Sequence, residues 1–240
     1  MFFMRPKQLL NAVDHRSQDL PTGRWKFYQE WNNVIFLHWQ VARKKLREFV
    51  PEELEFDTHE GQCWVSLVAF TMNKVRFRNL PPFPPVSDFH EVNIRTYVKM
   101  NNSSGVYFLS MEGAKKLSCK IAKMTSVLPY RYSKMERDKY TYTSKNQVYD
   151  DHFNIRYDIG QIDEKDPLGI WLTERYALFQ DSGPDIFKYQ VHHQPWPLYT
   201  LHIHELEVSY KRFYTLLTGV PARAHYSPGV SVVSWDKEKV

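Results

Sequence analysis

Two stretches of the chain carry residues whose types and spacing suit chemistry. In "EGAKKLSCK" (112–120) Lys115 and Lys116 stand side by side. One ammonium eases deprotonation of its neighbour, and a neutral lysine amine is the nucleophile of Schiff-base enzymes. The second stretch is "HEVNIRTYVKM" (90–100). A period of two puts Glu91, Asn93, Arg95 and Tyr97 on one strand face and Val92, Ile94, Thr96 and Val98 on the other. Facing a cavity, that polar row offers Arg95 to a carboxylate and Glu91 as an acid or base. Facing solvent it is an ordinary wetted strand, and an internal Glu91–Arg95 ion pair is the other plain reading.

The lysine doublet weakens when its surroundings are read. Leu117, Ile121, Met124 and Leu128 recur at intervals of four, three and four, a single helical stripe. Lys116, Lys120 and Lys123 flank it and Lys115 lies on the far side, whereas a Schiff-base amine needs an apolar pocket. The doublet reads as a solvated helix face. The paired His192–His193 and the alternating His202 and His204 lack a third ligand at metal spacing, so no metal is expected. Two cysteines, Cys63 and Cys119, are too few for a metal quartet or a disulfide framework, and Cys63 reads as a small apolar strand residue. Nucleotide-binding glycine loops and the G-x-S-x-G elbow are absent from the sequence.

The elements that must position these residues are mostly strands. Apolar, β-branched and aromatic runs at 33–41, 63–77, 89–100, 105–111, 139–144, 147–157, 186–193, 199–210 and 230–235 predict strands. Helices are expected near the N-terminus, at 42–50, 113–127 and 166–175, and at 207–217. "NNSSG" reads as a hairpin turn, and "NLPPFPPVSD", with four prolines, as an ordered loop or lid. The expected fold is α+β, mainly antiparallel β with a curved or closed sheet, in a single domain over 1–240 whose residues 1–30 form a helical extension.

With 240 residues and 15% aromatics the chain can bury one sizeable core. A net charge of +5, from 32 basic and 27 acidic residues intermingled, favours solubility and does not single out nucleic acid. Early charges at Arg5 and Lys7 exclude a secretory apolar segment there, and the uncharged runs are too short for a bilayer. A soluble cytoplasmic protein with no membrane partner is expected.

Several stretches in combination carry a family resemblance: "FLHWQV", "VPEELEFDTHEGQCWVSLVAF", "FHEVNIRTYV", "GVYFLSM", "LPYRYSKM", "WLTERYALF" and "HHQPWPL". Together they resemble the YqjF-like family, assigned to the acetoacetate decarboxylase-like superfamily, over about residues 31 to 200. The resemblance implies a cone-shaped antiparallel β-barrel enclosing a cavity, and a homo-oligomer, dimer or higher. The decarboxylase has an arginine after an aromatic residue, a glutamate in a D-Y-x-E strand and a P-K-K carrying the imine-forming lysine. "SDFHEVNIR" puts Glu91 on that glutamate, "HWQV" puts Gln40 on the arginine, and "LPYRY" puts Tyr130 on the lysine and Arg131 on its neighbour. Tyrosine forms no imine.

The resemblance therefore implies a small anionic, carboxylate-type molecule held in a barrel cavity without a Schiff-base lysine or other cofactor. Glu91 and Tyr130 would form the proton-transfer pair, and Arg95, Arg131, Gln40 and His38 would contact the ligand. In "WLTERY", Glu174 and Arg175 read as a buried pair bracing the barrel. The rival readings are a lysine-dependent lyase using Lys134 or Lys115, and a non-catalytic interaction protein using the basic segment 42–50 (Arg43, Lys44, Lys45 and Arg47).

Overall fold

A computed structural model describes residues 3–163 and 166–240. In chain order the elements are α1 (Pro6–Asn11), β1 (Phe27–Val41), α2 (Arg43–Arg47), β2 (Glu55–Phe56), β3 (Cys63–Phe77), β4 (Phe89–Met100), β5 (Ser103–Gly113) and α3 (Lys116–Thr125). There follow β6 (Tyr130–Tyr132), β7 (Lys134–Arg137), β8 (Thr141–Asn146), β9 (Asp151–Ile162) and α4 (Pro167–Thr173). The chain ends with β10 (Ala177–Ser182), β11 (Asp185–His193), β12 (Tyr199–Ser209), a 3-10 turn (Lys211–Phe213), β13 (Arg223–Ser234) and β14 (Glu238–Lys239).

Hairpin chemistry sets the registers around the site. Asn101 and Asn102 both take positive φ, 49° and 59°, the two-residue turn whose twist suits a β-hairpin. That turn pairs Met100 with Ser103 and fixes β4 against β5. β1 starts at Phe27, earlier than the expected residue 33. The Asn32–Asn33 pair, which looked like a strand boundary, is a bulge inside the strand with Asn33 at φ 51°. Residues 1–30 are consequently no helical extension: among the described residues only Pro6–Asn11 is helical and Phe27 onward is strand. The expected helix at 207–217 is the end of β12 followed by a 3-10 turn, and β10 is a strand the sequence did not announce.

The strands join into one sheet in the order β14-β11-β10-β5-β4-β3-β1-β13-β12-β9-β8-β7. β11 also pairs with β13, so hydrogen bonding runs in a closed circuit through β11, β10, β5, β4, β3, β1 and β13. Pairing is antiparallel except for β10 with β5 and β5 with β6. Both faces of the central strands are covered. Leu37, Leu67, Ile94 and Tyr142 belong to one core cluster, Phe36, Val68, Phe70 and Trp196 to a second. A third holds Trp64, Tyr97, Phe108, Met111 and Leu172. Each large apolar side chain so buried contributes on the order of 2 kcal/mol. β4 is buried without interruption from Glu91 to Val98, so its polar row is not a wetted face.

Helix α3 is turned differently from its sequence pattern. Its apolar stripe is on the outside, with Leu117, Ile121 and Met124 exposed by 47%, 41% and 76%. Ser118 and Cys119 face inward instead. Small residues explain the choice: a Cβ at Gly113 would stand 2.8 Å from the Cys119 sulfur, so glycine lets the helix close on β5 through Cys119. Among the described residues no helix is long and apolar enough to cross a membrane.

Candidate functional site

The registers of β1, β3, β4 and β5 stack the expected site residues in rows on one sheet face. His38, Ser66, Arg95 and Phe108 are cross-strand partners in one row, and Phe36, Val68, Asn93 and Met111 form the next. Phe70, Glu91 and Gly113 follow. Polar groups are thus embedded among aromatic and aliphatic ones, where burial without partners is costly.

At one end of this face the Tyr130 hydroxyl donates to Glu91 Oε2 at 2.7 Å, and Asn93 Nδ2 donates to Glu91 Oε1 at 3.3 Å. Burial pushes the Glu91 carboxyl up to about 7, against the two hydrogen bonds that hold it down. Burial and the nearby carboxylate together push the Tyr130 phenol well above its ordinary value. A neutral-pH carboxyl hydrogen-bonded to a phenol is a proton donor–acceptor pair.

At the other end, hydrogen bonds run in a single direction. Tyr97 donates its hydroxyl proton to the Leu172 carbonyl at 2.9 Å, so the 2.5 Å contact between Ser66 Oγ and Tyr97 is a donation from serine. The serine proton being committed, His38 Nδ1–H must be the donor across the 2.6 Å contact to Ser66 Oγ. His38 Nε2 then carries a lone pair, and it is buried without a partner. Burial, with His225 and Arg95 adding to it, holds His38 well below the ordinary histidine range, so the ring is neutral.

Arg95 lies in the same row. It donates from Nη2 to the Leu172 carbonyl at 3.2 Å, while its Nε has no acceptor. That carbonyl belongs to the last turn of α4, where helix carbonyls lack intrahelical donors. Among the described residues Arg95 has no carboxylate partner, and Glu91 bonds to Tyr130 and Asn93 instead of pairing with it. Asn93 Oδ1 is likewise buried and without a donor.

Not all the expected residues gather here. Tyr130 and Arg131 are neighbours on β6 and point to opposite faces. Arg131 is clamped between Glu112 at 2.5 Å and Asp151 at 2.8 Å, on the far side of the sheet from Glu91. It is already doubly paired and does not face the Glu91–Tyr130 pair. Gln40 lies at the exposed end of β1, two residues beyond the buried His38. Glu174 and Arg175 do not pair with each other. Glu174 accepts from the Tyr176 hydroxyl and the Trp196 amide, and Arg175 binds Asp57 at 2.5 Å.

The rival sites are occupied structurally. Lys115 Nζ donates to the Pro84 carbonyl at 2.7 Å and also to that of Ser87, tying down the proline-rich loop. Lys134 is exposed beside Glu136, whose hydrogen bond first and charge second raise the amine, the opposite of what imine formation needs. In the basic segment, Arg47 donates to the carbonyls of Pro51 and Leu54 and lies 4.0 Å over the Phe56 ring. His192 and His193 are buried on backbone carbonyls of Leu9, Gln194 and Arg175. Ser66 and Glu112 escaped the sequence reading; the i, i+2 alternation in "WVSLVAF" was the available signal for Ser66.

A cleft of about 870 Å³ opens nearby, lined among others by Arg16, Glu174, Arg175 and Trp196. The Trp196 ring meets Phe36 edge-on at 5.1 Å, and the Arg95 guanidinium carbon lies 5.8 Å from the centre of the Phe36 ring. Trp196 lines the cleft and touches Phe36, a member of the buried rows.

Comparison with known proteins agrees with this arrangement at the level of fold. An acetoacetate decarboxylase structure matches with TM-score 0.63 at 14% identity, covering 99% of this chain and 98% of the other. The acetoacetate decarboxylase of Legionella pneumophila matches with TM-score 0.64 at 11% identity, covering 99% and 96%. The enduracididine biosynthesis enzyme MppR, in complex with pyruvate, matches with TM-score 0.59 at 9% identity over 93% of each chain. In sequence, the uncharacterized protein YqjF of Bacillus subtilis (strain 168) is 35% identical over 198 residues, 79% of this chain and 82% of that one. A family model described as an uncharacterized conserved protein, DUF2071, spans residues 28–231, which takes in every row of the site. With both the family model and the YqjF relative covering the strands that build the site, the chain belongs to the DUF2071, or YqjF-like, family.

Proposed function

We propose that this protein binds a small carboxylate, of keto-acid size, against the buried row of β4, and that Glu91 with Tyr130 moves a proton on it. The observation that carries this reading is Arg95. A guanidinium buried among Phe36, Phe108 and Leu172 without an acidic partner among the described residues is an uncompensated charge, and an anion from outside would compensate it. His38 Nε2 and Asn93 Oδ1 are acceptors lacking donors on the same face, ready for a hydroxyl or enol proton. The pyruvate complex of the MppR neighbour supports the size and charge of the ligand.

In this reading the strand circuit is the expected cone-shaped barrel, and the Trp196–Phe36 contact is the inner limit of its entrance. Among the described residues no lysine is in position for an imine, so the reaction, where there is one, is proton transfer rather than Schiff-base decarboxylation. Homo-oligomerisation is kept as part of the proposal on the strength of the exposed stripe Leu117–Ile121–Met124. Light scattering of an Ile121→Glu, Met124→Glu variant tests it; an unchanged oligomer removes that stripe from the interface.

The decisive experiment is thermal unfolding with pyruvate and acetoacetate, for wild type and Arg95→Met. At a hundredfold excess over Kd a ligand stabilises by about 2.7 kcal/mol. The wild type should gain this and Arg95→Met should not, while Arg95→Met without ligand stays folded because an unpaired charge has been removed. A ligand shift that survives in Arg95→Met would sink the proposal, as would none across a panel of two- to five-carbon keto acids.

A further inference from the structure

Outside that row, the end of β9, the residue capping α4 and the start of β13 bring three metal-type donors together. They are a carboxylate oxygen from each of Asp163 and Asp166 and a ring nitrogen of His225, all within 4.8 Å of one another. From these we infer that the protein has a site for one divalent transition cation, of the zinc or manganese class, held by Asp163, Asp166 and His225.

The imidazole is the firmest part. His225 is buried on the sheet, paired across to Phe36 and Thr200, with Nε2 the ring nitrogen nearer the two carboxylates. Its Nε2 stands 3.5 Å from Asp166 Oδ2 and 3.8 Å from Asp163 Oδ2, too far for good hydrogen bonds. Donor atoms around a tetrahedral metal with bonds of about 2.1 Å are about 3.4 Å apart, so these separations suit a shared ion better than direct contact. Asp166 is oriented for it, since Oδ1 accepts from the Leu168 amide and leaves Oδ2 turned to His225. The Asp163 main chain is anchored by its amide on the Leu198 carbonyl. Gly169 keeps the place open: a Cβ there would come within 2.9 Å of His225 Nε2 and 3.1 Å of Asp166 Oδ2.

Nitrogen with two carboxylate oxygens is a borderline donor set, which suits zinc, manganese or cobalt better than calcium or copper(I). Three protein ligands leave positions for water, because Asp163 and Asp166 are part-exposed. The only cation near is Arg223, whose Nε is 3.6 Å from Asp166 Oδ2 among the described residues; it is half-exposed and free to swing out. Arg223 therefore competes with the metal, which makes a distinctive prediction.

The test is equilibrium dialysis of the full chain against Zn²⁺, with metal counted by mass spectrometry, for wild type, Asp163→Asn, His225→Gln and Arg223→Gln. Wild type should hold one tight zinc, and Asp163→Asn should weaken it roughly tenfold or more without changing the circular dichroism. Arg223→Gln should tighten it several-fold. Exposed histidines such as His202 and His204 remain in every variant and set the background. Equal zinc uptake by wild type and folded Asp163→Asn overturns the site, and so does weaker binding by Arg223→Gln. Should His225→Gln fail to fold, Asp163→Asn alone decides.

Discussion

Glu91 on β4 and Glu112 on β5 are each 1% exposed, one register position apart, and the molecule treats them in opposite ways. Short strand β6 serves both. It sends Tyr130 to one sheet face and Glu91, and Arg131 to the other face and Glu112. Glu112 receives a guanidinium at 2.5 Å and the Ser133 and Ser144 hydroxyls at 2.7 Å and 3.1 Å. Burial raises its carboxyl above the ordinary value, although Arg131 and the serines oppose that push. Glu91 receives a phenol and an amide, neither of them charged, and settles near neutrality. Equal burial raises both carboxyls, but one is ion-paired in a brace and the other is held by neutral donors alone. The choice of partner, not depth, decides which carboxyl is left free for chemistry.

The sharpest way to break this contrast is Arg131→Met. It strands Glu112 and Asp151 in the interior, and uncompensated buried charge costs about 3–5 kcal/mol. Urea unfolding at pH 7 should show that loss, while Tyr130→Phe at the same pH loses less. If the two variants lose equal stability, the far-face cluster is not a brace.

The second test reads the titration of Glu91. Its carboxyl goes from an ordinary 4.5 when unfolded to about 7 when folded, so between these values the folded protein holds a proton the unfolded chain has lost. Stability must then fall as pH rises from about 4.5 to about 7, by about 3 kcal/mol in all, and level off above. Glu91→Gln should flatten that slope and be more stable than wild type at pH 8. A slope that survives in Glu91→Gln belongs to another group.

A smaller, sharpening change is Tyr130→Phe. The phenol favours the charged form of Glu91, so its loss should move the carboxyl midpoint above 7 in a carbon-13 NMR titration. The variant should lose about 2 kcal/mol at pH 8, where the acceptor is charged, and about 1 kcal/mol at pH 5. An unmoved midpoint would mean that the hydroxyl does not govern Glu91.

Much of this was legible before any coordinates. The alternation in "HEVNIRTYV" placed Glu91, Asn93, Arg95 and Tyr97 together, and the family resemblance through "LPYRY" implied that Tyr130 joins Glu91. The same alternation forbids Tyr130 and Arg131 from sharing a face, a consequence that the family likeness obscured because it treated "YR" as one unit. What periodicity cannot give is which partner lies across the sheet. Glu112 and Asp151 are 39 residues apart in sequence and meet only through Arg131. Nor does a helical stripe say which side is packed: α3 closed on β5 through Gly113 and Cys119, and its leucine side was left outside. Asn32–Asn33 misled for a similar reason, since a bulge and a strand end use the same residues.

Cys119 gives the finest probe of the comparison, because both glutamates act on its sulfur. Its sulfur stands 3.4 Å from the carbonyls of both Gly113 and Arg131, either of which can accept its one proton. Burial first, and then the charge of Glu91, push the thiol from 9.0 up to about 11. At pH 8 that lowers the reactive thiolate about a hundredfold, so an aromatic disulfide reagent should modify native Cys119 about a hundred times more slowly than unfolded protein. Glu91→Gln removes one of the two charges acting on the sulfur and should speed modification a few-fold at pH 8. Below the Glu91 midpoint the wild-type carboxyl is itself neutral, and the two proteins should react alike. The difference between them, plotted against pH, therefore traces the ionisation of Glu91, and a pH-independent ratio would mean that the glutamate is not the charge the sulfur feels.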